Sequence, residues 1–127
     1  KYNKGVLVVF DADDFKQVND CHGHVKGDLC LAGIAECIKK AYADFGYCYR
    51  IGGDEFCVLL KNADKEDWCK QEFLHRLEEK RRKITFLPTV SYGSASFSCG
   101  DIVAVKDKAD RDMYQYKYER KNRNGMV

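Results

Sequence analysis

Residues 47–60 read YCYRIGGDEFCVLL, in which two strand-like runs flank a pair of glycines. Tyr47–Ile51 and Phe56–Leu60 are rich in aromatic and aliphatic side chains, as β-strands are. Gly52 and Gly53 accept the positive φ angles of a tight turn, so the pattern predicts a β-hairpin. Asp54 follows the glycines at the tip, where a polar turn residue is also ordinary.

Upstream of this hairpin the sequence predicts a strand and then a helix. Val6–Phe10 is a short apolar run typical of a central strand that is buried on both faces. After a polar stretch, 11–28, apolar residues recur at three- and four-residue spacing, which predicts a helix that Gly46 ends. The members of this stripe are Leu31, Ile34, Ala35, Ile38, Ala41, Tyr42 and Phe45.

Downstream of the hairpin, Asn62 or Asp64 is expected to cap a second helix. A strand region at 85–97, interrupted by Gly93, and a helix from residue 106 or 107 to about 121 follow. The order β-α-β-β-α-β-α predicts an α+β fold of the split βαβ, ferredoxin-like kind. This fold has an antiparallel central sheet with helices packed on it.

Charge and composition exclude several classes of protein. Lys and Arg total 22 against 20 Asp and Glu, a net charge of +2, so we expect no nucleic-acid partner and no membrane contact by this domain. The apolar runs fall far short of the ~20 residues that cross a bilayer. At 127 residues the chain is expected to form a single domain, 1–127.

The seven cysteines include no C-x-x-C pair, and their number is odd. Neither a zinc site nor a closed disulfide framework is therefore indicated. Cys30 and Cys37 fall near the helical stripe and Cys57 in a strand, where cysteine acts as a small buried apolar residue. We therefore expect reduced thiols and a cytoplasmic domain, which a membrane segment elsewhere in the full-length protein could still tether.

Acidic residues follow the first strand in the run Phe10-Asp11-Ala12-Asp13. One interpretation is that Asp11 and Asp13 cap the following turn. Alternatively, if the first strand lies beside the hairpin, Asp11 and Asp54 meet in a cluster of hard oxygen ligands. Such a cluster suits Mg²⁺, which takes one or two carboxylates and completes its shell with water and substrate phosphates.

Four segments of the chain carry a family resemblance. Residues 52–56 spell GGDEF after Arg50-Ile51, and residues 10–28 read FDADDFKQVNDCHGHVKGD. VSYGSA at 90–95 and ADRDMYQYK at 109–117 complete the set. In this order, and over nearly the whole chain, they resemble the motifs of the GGDEF domain family.

The resemblance implies a diguanylate cyclase, which condenses two GTP molecules into cyclic di-GMP and two pyrophosphates. It also implies a fold similar to the polymerase palm and the class III nucleotide cyclases. Asp11, Asp54 and Glu55 are the implied catalytic residues. With the Ala12 carbonyl they would hold two Mg²⁺ per site, for which Mn²⁺ is a substitute. Glu55 is either a metal ligand or the group that handles the hydroxyl proton.

The resemblance further implies a set of substrate-binding positions: Asn19 and Asp28 for guanine, Lys16, His24, Lys117 and Lys121 for the phosphates, and Gly52 and Gly53 for the turn and its open space. Asp28 favours GTP over ATP, because a carboxylate can accept hydrogen bonds from the N1–H and N2–H of guanine and adenine lacks both donors. His24 is equally interpreted as a structural histidine. Lys121 stands where the family has arginine, and lysine lacks the bidentate fork.

Several features depart from the family pattern. The upstream D-x-L-T-G-L-x-N-R segment is absent, so we expect an N-terminally truncated domain. Ala43 and Gly46 occupy the positions of the family's inhibitory R-x-x-D pair, so no product binding is expected there. Asp112 replaces an apolar residue or alanine, and Arg120 replaces a glycine, which is expected to alter the C-terminal phosphate site.

The resemblance implies that catalysis needs two chains, because the 3′-hydroxyl of each GTP attacks the α-phosphate of the other. We expect a weak head-to-tail homodimer, and an upstream sensor or dimerisation domain in the full protein. The alternative is a catalytically inactive module that binds GTP or another protein. The intact set of Asp11, Asp54, Glu55, Asn19 and Asp28 argues against it, and the changes at Arg120 and Lys121 keep it open. A cyclase of different base specificity is disfavoured by Asp28.

Overall fold

The computed structural model describes residues 4–98 and 102–125, with side chains described for 5–98 and 102–120. Its elements are β1 (Lys4–Ala12), α1 (Phe15–His22), α2 (His24–Tyr42), β2 (Gly46–Gly52), β3 (Glu55–Leu60), a 3₁₀ turn (Ala63–Lys65), α3 (Glu66–Lys83), β4 (Val90–Ser98) and α4 (Ile102–Gly125). The described strands form one antiparallel sheet on which the helices pack, which confirms the predicted α+β fold.

Strand β1 lies inside the sheet, whose strand order is β2-β3-β1-β4. Its antiparallel register with β3 runs from Val6 opposite Leu60 to Asp11 opposite Glu55. On its other side β1 pairs with β4, which places Ser91 opposite Asp11. The end of the first strand therefore adjoins the hairpin turn, as the sequence predicts.

Alternation along β1 gives each face of the sheet its own core. Phe10 and the residues two and four before it enter the larger core beneath α2 and α3. Leu7 and Val9 instead pack against α4 on the opposite face. Because successive side chains of a strand point to opposite faces, Asp11 continues the series that faces α4.

Phe10 anchors β1 to both helices of the larger core. Its ring makes edge contacts with Tyr42 on α2, at 5.6 Å between centroids, and with Phe73 on α3, at 5.0 Å. Each such aromatic pair contributes roughly 0.5–1.5 kcal/mol beyond simple burial. The strand is therefore held firmly one residue before Asp11.

The polar stretch 11–28 contains helix α1, which the sequence analysis does not predict, and the first turn of α2. Val18 is the buried residue of α1, so this helix has no apolar stripe that would identify it in the sequence. α2 begins at His24 and ends at Tyr42. Gly46 opens β2, so its role is in the strand and not at the helix end.

The predicted cap of α3 is wrong. A 3₁₀ turn over Ala63–Lys65 precedes the helix, which begins at Glu66. Neither Asn62 nor Asp64 caps it, because Lys65 occupies the cap position and no side chain there bonds the helix. Acidic residues in the first turn complement the helix dipole instead.

Strand β4 and helix α4 begin at residues other than those predicted. β4 starts at Val90 and continues through Gly93 without interruption. α4 starts at Ile102, which is exposed. The first turn therefore does not continue the apolar stripe by which the helix was predicted. Gly93 is where the helix backbone meets the strand, near Ala109 and Met113.

No helix within the described ranges is both long enough and apolar enough to cross a membrane. The cysteines described are free thiols, of which Cys30, Cys37 and Cys69 are buried and Cys21 is exposed. Burial raises the pKa of Cys69 to about 11, so this thiol is protonated at neutral pH. Cys99 lies outside the described residues.

Replacing Gly93 with Ala is expected to lower the free energy of unfolding by about 1–3 kcal/mol, as overpacking of a close-packed core does. The new Cβ would lie 2.5 Å from the Ala109 carbonyl oxygen and 2.7 Å from Met113 Cα. Both are backbone atoms of α4, so neither can rotate away. Urea unfolding followed by circular dichroism measures the change.

Gly52→Ala is the matched control, since no heavy atom lies within 4 Å of the position of its Cβ. Its free energy of unfolding is expected to stay within about 0.5 kcal/mol of the parent protein. If Gly93→Ala were as stable as this control, the close packing of α4 on β4 would be wrong.

Candidate functional site

Two carboxylates meet where β1 ends and β3 begins. The Ala12 N–H donates to the Asp54 carbonyl oxygen at 3.2 Å, which ties the hairpin turn to the end of β1. Burial raises the pKa of Asp11; Lys117 acts to lower it, and the adjacent Asp54 raises it further. The structure thus brings together the two acids that the sequence predicts as neighbours.

Lys117 on α4 is the counter-ion of this acidic pair. Its Nζ lies 3.1 Å from Asp11 Oδ2 and 3.9 Å from Asp13 Oδ1. Burial acts to lower the pKa of Lys117, but the hydrogen bond and charge of Asp11 and the charge of Asp13 raise it above its usual value. The ammonium therefore stays charged and adjoins the carboxylates.

The hairpin turn is held by Arg50 and has open space beside its two glycines. Arg50 donates through Nε at 3.1 Å and Nη2 at 2.6 Å to the Gly53 carbonyl oxygen. Gly53 has φ +47°, which glycine adopts without strain. No heavy atom lies within 4 Å of where a Cβ at Gly52 or Gly53 would stand, so the turn is accessible to a ligand.

Neither Asp11 nor Asp13 caps the following turn, so that interpretation is wrong. Asp13 is buried and accepts hydrogen bonds from Thr89 Oγ1 at 2.7 Å and Ser91 Oγ at 2.6 Å. Arg120 also donates to it from α4. Asp14, with φ 53°, stands at the start of α1 without a side-chain cap bond. Asp13 therefore joins β1, β4 and α4.

Glu55 has a partner that the sequence analysis missed. Lys106 Nζ lies 3.3 Å from Glu55 Oε2 and 2.8 Å from Asp110 Oδ2. The four-residue spacing of Lys106 and Asp110 marks a helical ion pair, but nothing in the sequence links that pair to the hairpin. The negative charge of Glu55 is therefore partly compensated from α4.

A cavity of about 540 Å³ opens between α2 and the β2-β3 hairpin. Its lining residues are Asp28, Leu31, Ala32, Ala35, Ile38, Lys39, Cys48, Tyr49, Arg50 and Phe56. Asn19 on α1 packs against Gly27, the residue before Asp28, because a Cβ on Gly27 would stand 3.1 Å from Asn19 Cγ. Arg50 lines this cavity and also holds the turn, which links the cavity to the acidic pair.

The remaining predicted residues are not gathered at the site. Lys16 on α1 and His24 on α2 are exposed, and within the described part of the chain no contact joins either to the acids. The side chain of Lys121 lies outside the described residues. Arg120, which the sequence analysis treated only as a departure, contacts the site through Asp13.

The donor set at the turn fits a hard cation that also takes substrate oxygens. Across the described side chains, no group of three or more His, Cys, Asp or Glu residues could hold a metal ion. Asp11, Asp54 and the backbone oxygen of Ala12 remain as oxygen donors on two adjoining strand ends. Such a partial shell matches Mg²⁺, which keeps water and phosphate oxygens as its other ligands.

A family model described as "Diguanylate cyclase, GGDEF domain" matches residues 1–123. The chain is similar to the probable diguanylate cyclase DgcI of Escherichia coli K12, with 41% identity over 117 residues, 89% of this chain and 25% of that protein. It is also similar to diguanylate cyclase DgcZ of the same strain, at 32% identity over 92% of this chain and 42% of that protein. The chain spans 24–42% of the length of three of its curated relatives.

Solved structures show the same arrangement of elements. The chain is similar to diguanylate cyclase SiaD of Pseudomonas aeruginosa in complex with its activator SiaC, with a TM-score of 0.80 and 26% identity over 92% of this chain and 47% of that one. It is similar to the GGDEF domain of DgcB from Caulobacter crescentus in complex with c-di-GMP, with a TM-score of 0.78 and 28% identity over 91% and 73% of the two chains.

Replacing Arg50 with Ala is expected to speed amide hydrogen exchange in the turn 51–54 about fivefold. The reason is that a hydrogen bond to a backbone carbonyl contributes roughly 1 kcal/mol to local stability. Hydrogen–deuterium exchange with mass spectrometry measures the rate. Arg111→Ala, which removes an exposed arginine of α4, is the control and leaves the turn unchanged. Equal exchange in Arg50→Ala and the parent protein would contradict the role of Arg50.

Proposed function

The chain belongs to the GGDEF family, and we propose on that basis that it is a diguanylate cyclase. It would join two GTP molecules into cyclic di-GMP with release of two pyrophosphates. The observation that carries the proposal is the meeting of Asp11 and Asp54 at an open glycine turn. A nucleotidyl transfer needs such carboxylates, since they hold cations against the reacting phosphate.

We propose that Asp11, Asp54 and the Ala12 carbonyl hold two Mg²⁺ ions, with Mn²⁺ as a substitute. When bound, these ions polarise the α-phosphate, lower the pKa of the attacking 3′-hydroxyl and offset the charge of the leaving pyrophosphate. Lys117, which pairs with Asp11 at 3.1 Å, would exchange that carboxylate for phosphate oxygens. Glu55 would complete the acidic set, with its charge balanced by Lys106.

The guanine base is proposed to enter the 540 Å³ cavity beside the hairpin, a volume typical of small-ligand sites. Asp28 at the cavity wall would accept hydrogen bonds from the N1–H and N2–H of guanine, and Asn19, which packs against the neighbouring Gly27, is proposed to assist it. Asp28 is exposed, so a base seated over it would take the place of water. Guanine would supply both donors to the covered carboxylate and adenine neither, a mismatch that sites built this way reject strongly. Lys16 and His24 are exposed and, in the described part of the chain, make no contact with the acidic pair, so their proposed role at the phosphates rests on the family resemblance alone.

Two chains are proposed to act together, because each site holds one GTP and the reaction joins two. A head-to-tail homodimer would face one hairpin toward the other. The curated relatives extend well beyond the matched segment, so we propose that dimerisation and input control lie in other parts of the full protein. DgcB, with bound c-di-GMP, and SiaD, with its activator, show which kinds of ligand family members take.

Product inhibition through the R-x-x-D positions is not expected in this chain. Ala43 and Gly46 stand at those positions. A Cβ at Gly46 would lie 3.0 Å from both the Leu59 carbonyl carbon and Leu60 Cα, so the strand pairing leaves no space for an aspartate there. Turnover should therefore not fall through this route as cyclic di-GMP accumulates.

A second candidate function is a GTP-binding module without turnover. Two ion pairs near the end of α4 favour it, because each binds a cation to one of the chain's own acids: Lys117 to Asp11 and Arg120 to Asp13. The two functions differ in one outcome, which is whether bound GTP is converted.

Incubation with GTP and Mg²⁺ at high protein concentration is expected to yield cyclic di-GMP, detected by mass spectrometry, and ATP is expected to yield no product. Asp54→Asn keeps the side-chain shape but should reduce turnover roughly 100-fold or more, because the cation clamp supplies several kcal/mol. Asp14→Asn is the matched control, since Asn tolerates the left-handed backbone of Asp14. The rate should rise with more than the first power of protein concentration.

GTP binding without product, even after two chains are fused into a forced dimer, would establish the non-catalytic module instead. A rate strictly proportional to concentration in a monomeric protein would contradict the two-chain mechanism.

Divalent cations should stabilise the protein even without nucleotide. At tenfold excess over its dissociation constant, Mg²⁺ is expected to add about 1.4 kcal/mol to the free energy of unfolding, since it binds only the folded site. The midpoint of thermal unfolding should then rise by several degrees. The rise should vanish in Asp54→Asn and remain in Asp14→Asn. An equal rise in all three proteins would place the cation elsewhere.

A further inference from the structure

Arg120 is the last residue of α4 whose side chain the structure describes, and two contacts fix its guanidinium. Its guanidinium binds Asp13 and lies over the ring of Tyr116, 5.3 Å from the centroid. Tyr116 in turn stacks on Tyr92 of β4, with centroids 4.5 Å apart. This stack lets α4 present Arg120 to Asp13 in one defined orientation.

Asp13 is a buried carboxylate whose charge needs a fixed partner. Its side chain is 10% exposed, and the hydroxyls of Thr89 and Ser91 hold its two oxygens. Hydroxyl donors do not cancel a full charge, and a buried charge without a partner is costly. Arg120 supplies the cancelling charge.

The acids and cations alternate in the order Asp11, Lys117, Asp13, Arg120. Lys117 Nζ lies 3.1 Å from Asp11 but 3.9 Å from Asp13. Lys117 can stay on Asp11 because Arg120 neutralises the charge of Asp13. Without Arg120, Lys117 is the nearest remaining cation and would move toward Asp13.

We propose that Arg120 is a positioning residue for Lys117, which it keeps available to the nucleotide phosphates by neutralising Asp13. The inference rests on the proposed function, since it concerns the same GTP site. Arg120 Nη2 donates to Asp13 and lies 3.3 Å from the Thr89 hydroxyl and 3.5 Å from the Ser91 hydroxyl, so this nitrogen is engaged at Asp13; the proposal gives Arg120 no contact of its own with the phosphates. Arginine suits this position because its planar group stacks on Tyr116 while it bonds the carboxylate.

The test is a double-mutant cycle on nucleotide affinity. Isothermal titration calorimetry with Mg²⁺ and the α,β-methylene analogue of GTP measures binding, because this analogue cannot lose pyrophosphate. Arg120→Gln is expected to weaken binding about tenfold in the parent protein, the effect of losing one charged contact. In the Asp13→Asn background the same change should weaken binding less than about twofold, since no carboxylate then competes for Lys117.

A tenfold loss in both backgrounds would show that Arg120 contacts the nucleotide directly and would overturn the proposal, as would no loss in either. If Arg120 only supported the fold, Asp13→Asn would not restore the nucleotide affinity that Arg120→Gln removes. Arg111→Gln, at an exposed arginine of the same helix, is the matched control and should leave affinity unchanged. Failure of the parent protein to bind the analogue would instead contradict the proposed function.

Tyr116→Leu provides a second variant if Arg120→Gln does not fold. It removes the ring that orients Arg120 without changing any charge. The expected loss of affinity is about threefold in the parent protein, as for an ordinary cation–π contact, and none in the Asp13→Asn background. An equal loss in both backgrounds would overturn the proposal.

Discussion

The register of β1 against β3 is the constraint on which the site depends. It sets Asp11 opposite Glu55 and lets the Ala12 N–H reach the Asp54 carbonyl oxygen. A slip of one residue would exchange the two faces of β1, which would turn Phe10 away from Tyr42 and Phe73 toward α4 and bury Asp11 beneath α2 and α3. The register is therefore fixed by core burial, and the acidic pair gains its position from the apolar residues before it.

Charge balance on the α4 face is the second organising feature. Burial of Asp11 beside Asp54 raises the pKa of Asp11. Helix α4 supplies counter-ions to this face, Lys117 to Asp11 and Lys106 to Glu55. A face that gathers acids in this way needs cations, either from the protein or from solution. Packing of α4 on Gly93 brings those lysines within reach, so the helix is both a structural layer and the source of the counter-ions.

Local patterns predicted much of this structure, and long-range contacts account for what they missed. The hairpin and β1 were evident because glycine turns and apolar runs are local signals. α1 was missed because Val18 alone gives no stripe, and the cap of α3 was wrong because a 3₁₀ turn displaced the helix start. The contacts of Lys106 and Arg120 depend on how α4 crosses the sheet, and no spacing in the sequence specifies that crossing.

The most direct test of the account is a crystal structure with Mg²⁺ and the α,β-methylene analogue of GTP. We expect a cation between the carboxylates of Asp11 and Asp54, the base beside Asp28, and Lys117 Nζ moved from Asp11 to a phosphate oxygen. Arg120 should remain on Asp13. A nucleotide bound away from the hairpin, or Lys117 still paired with Asp11 and no cation between the two acids, would contradict it.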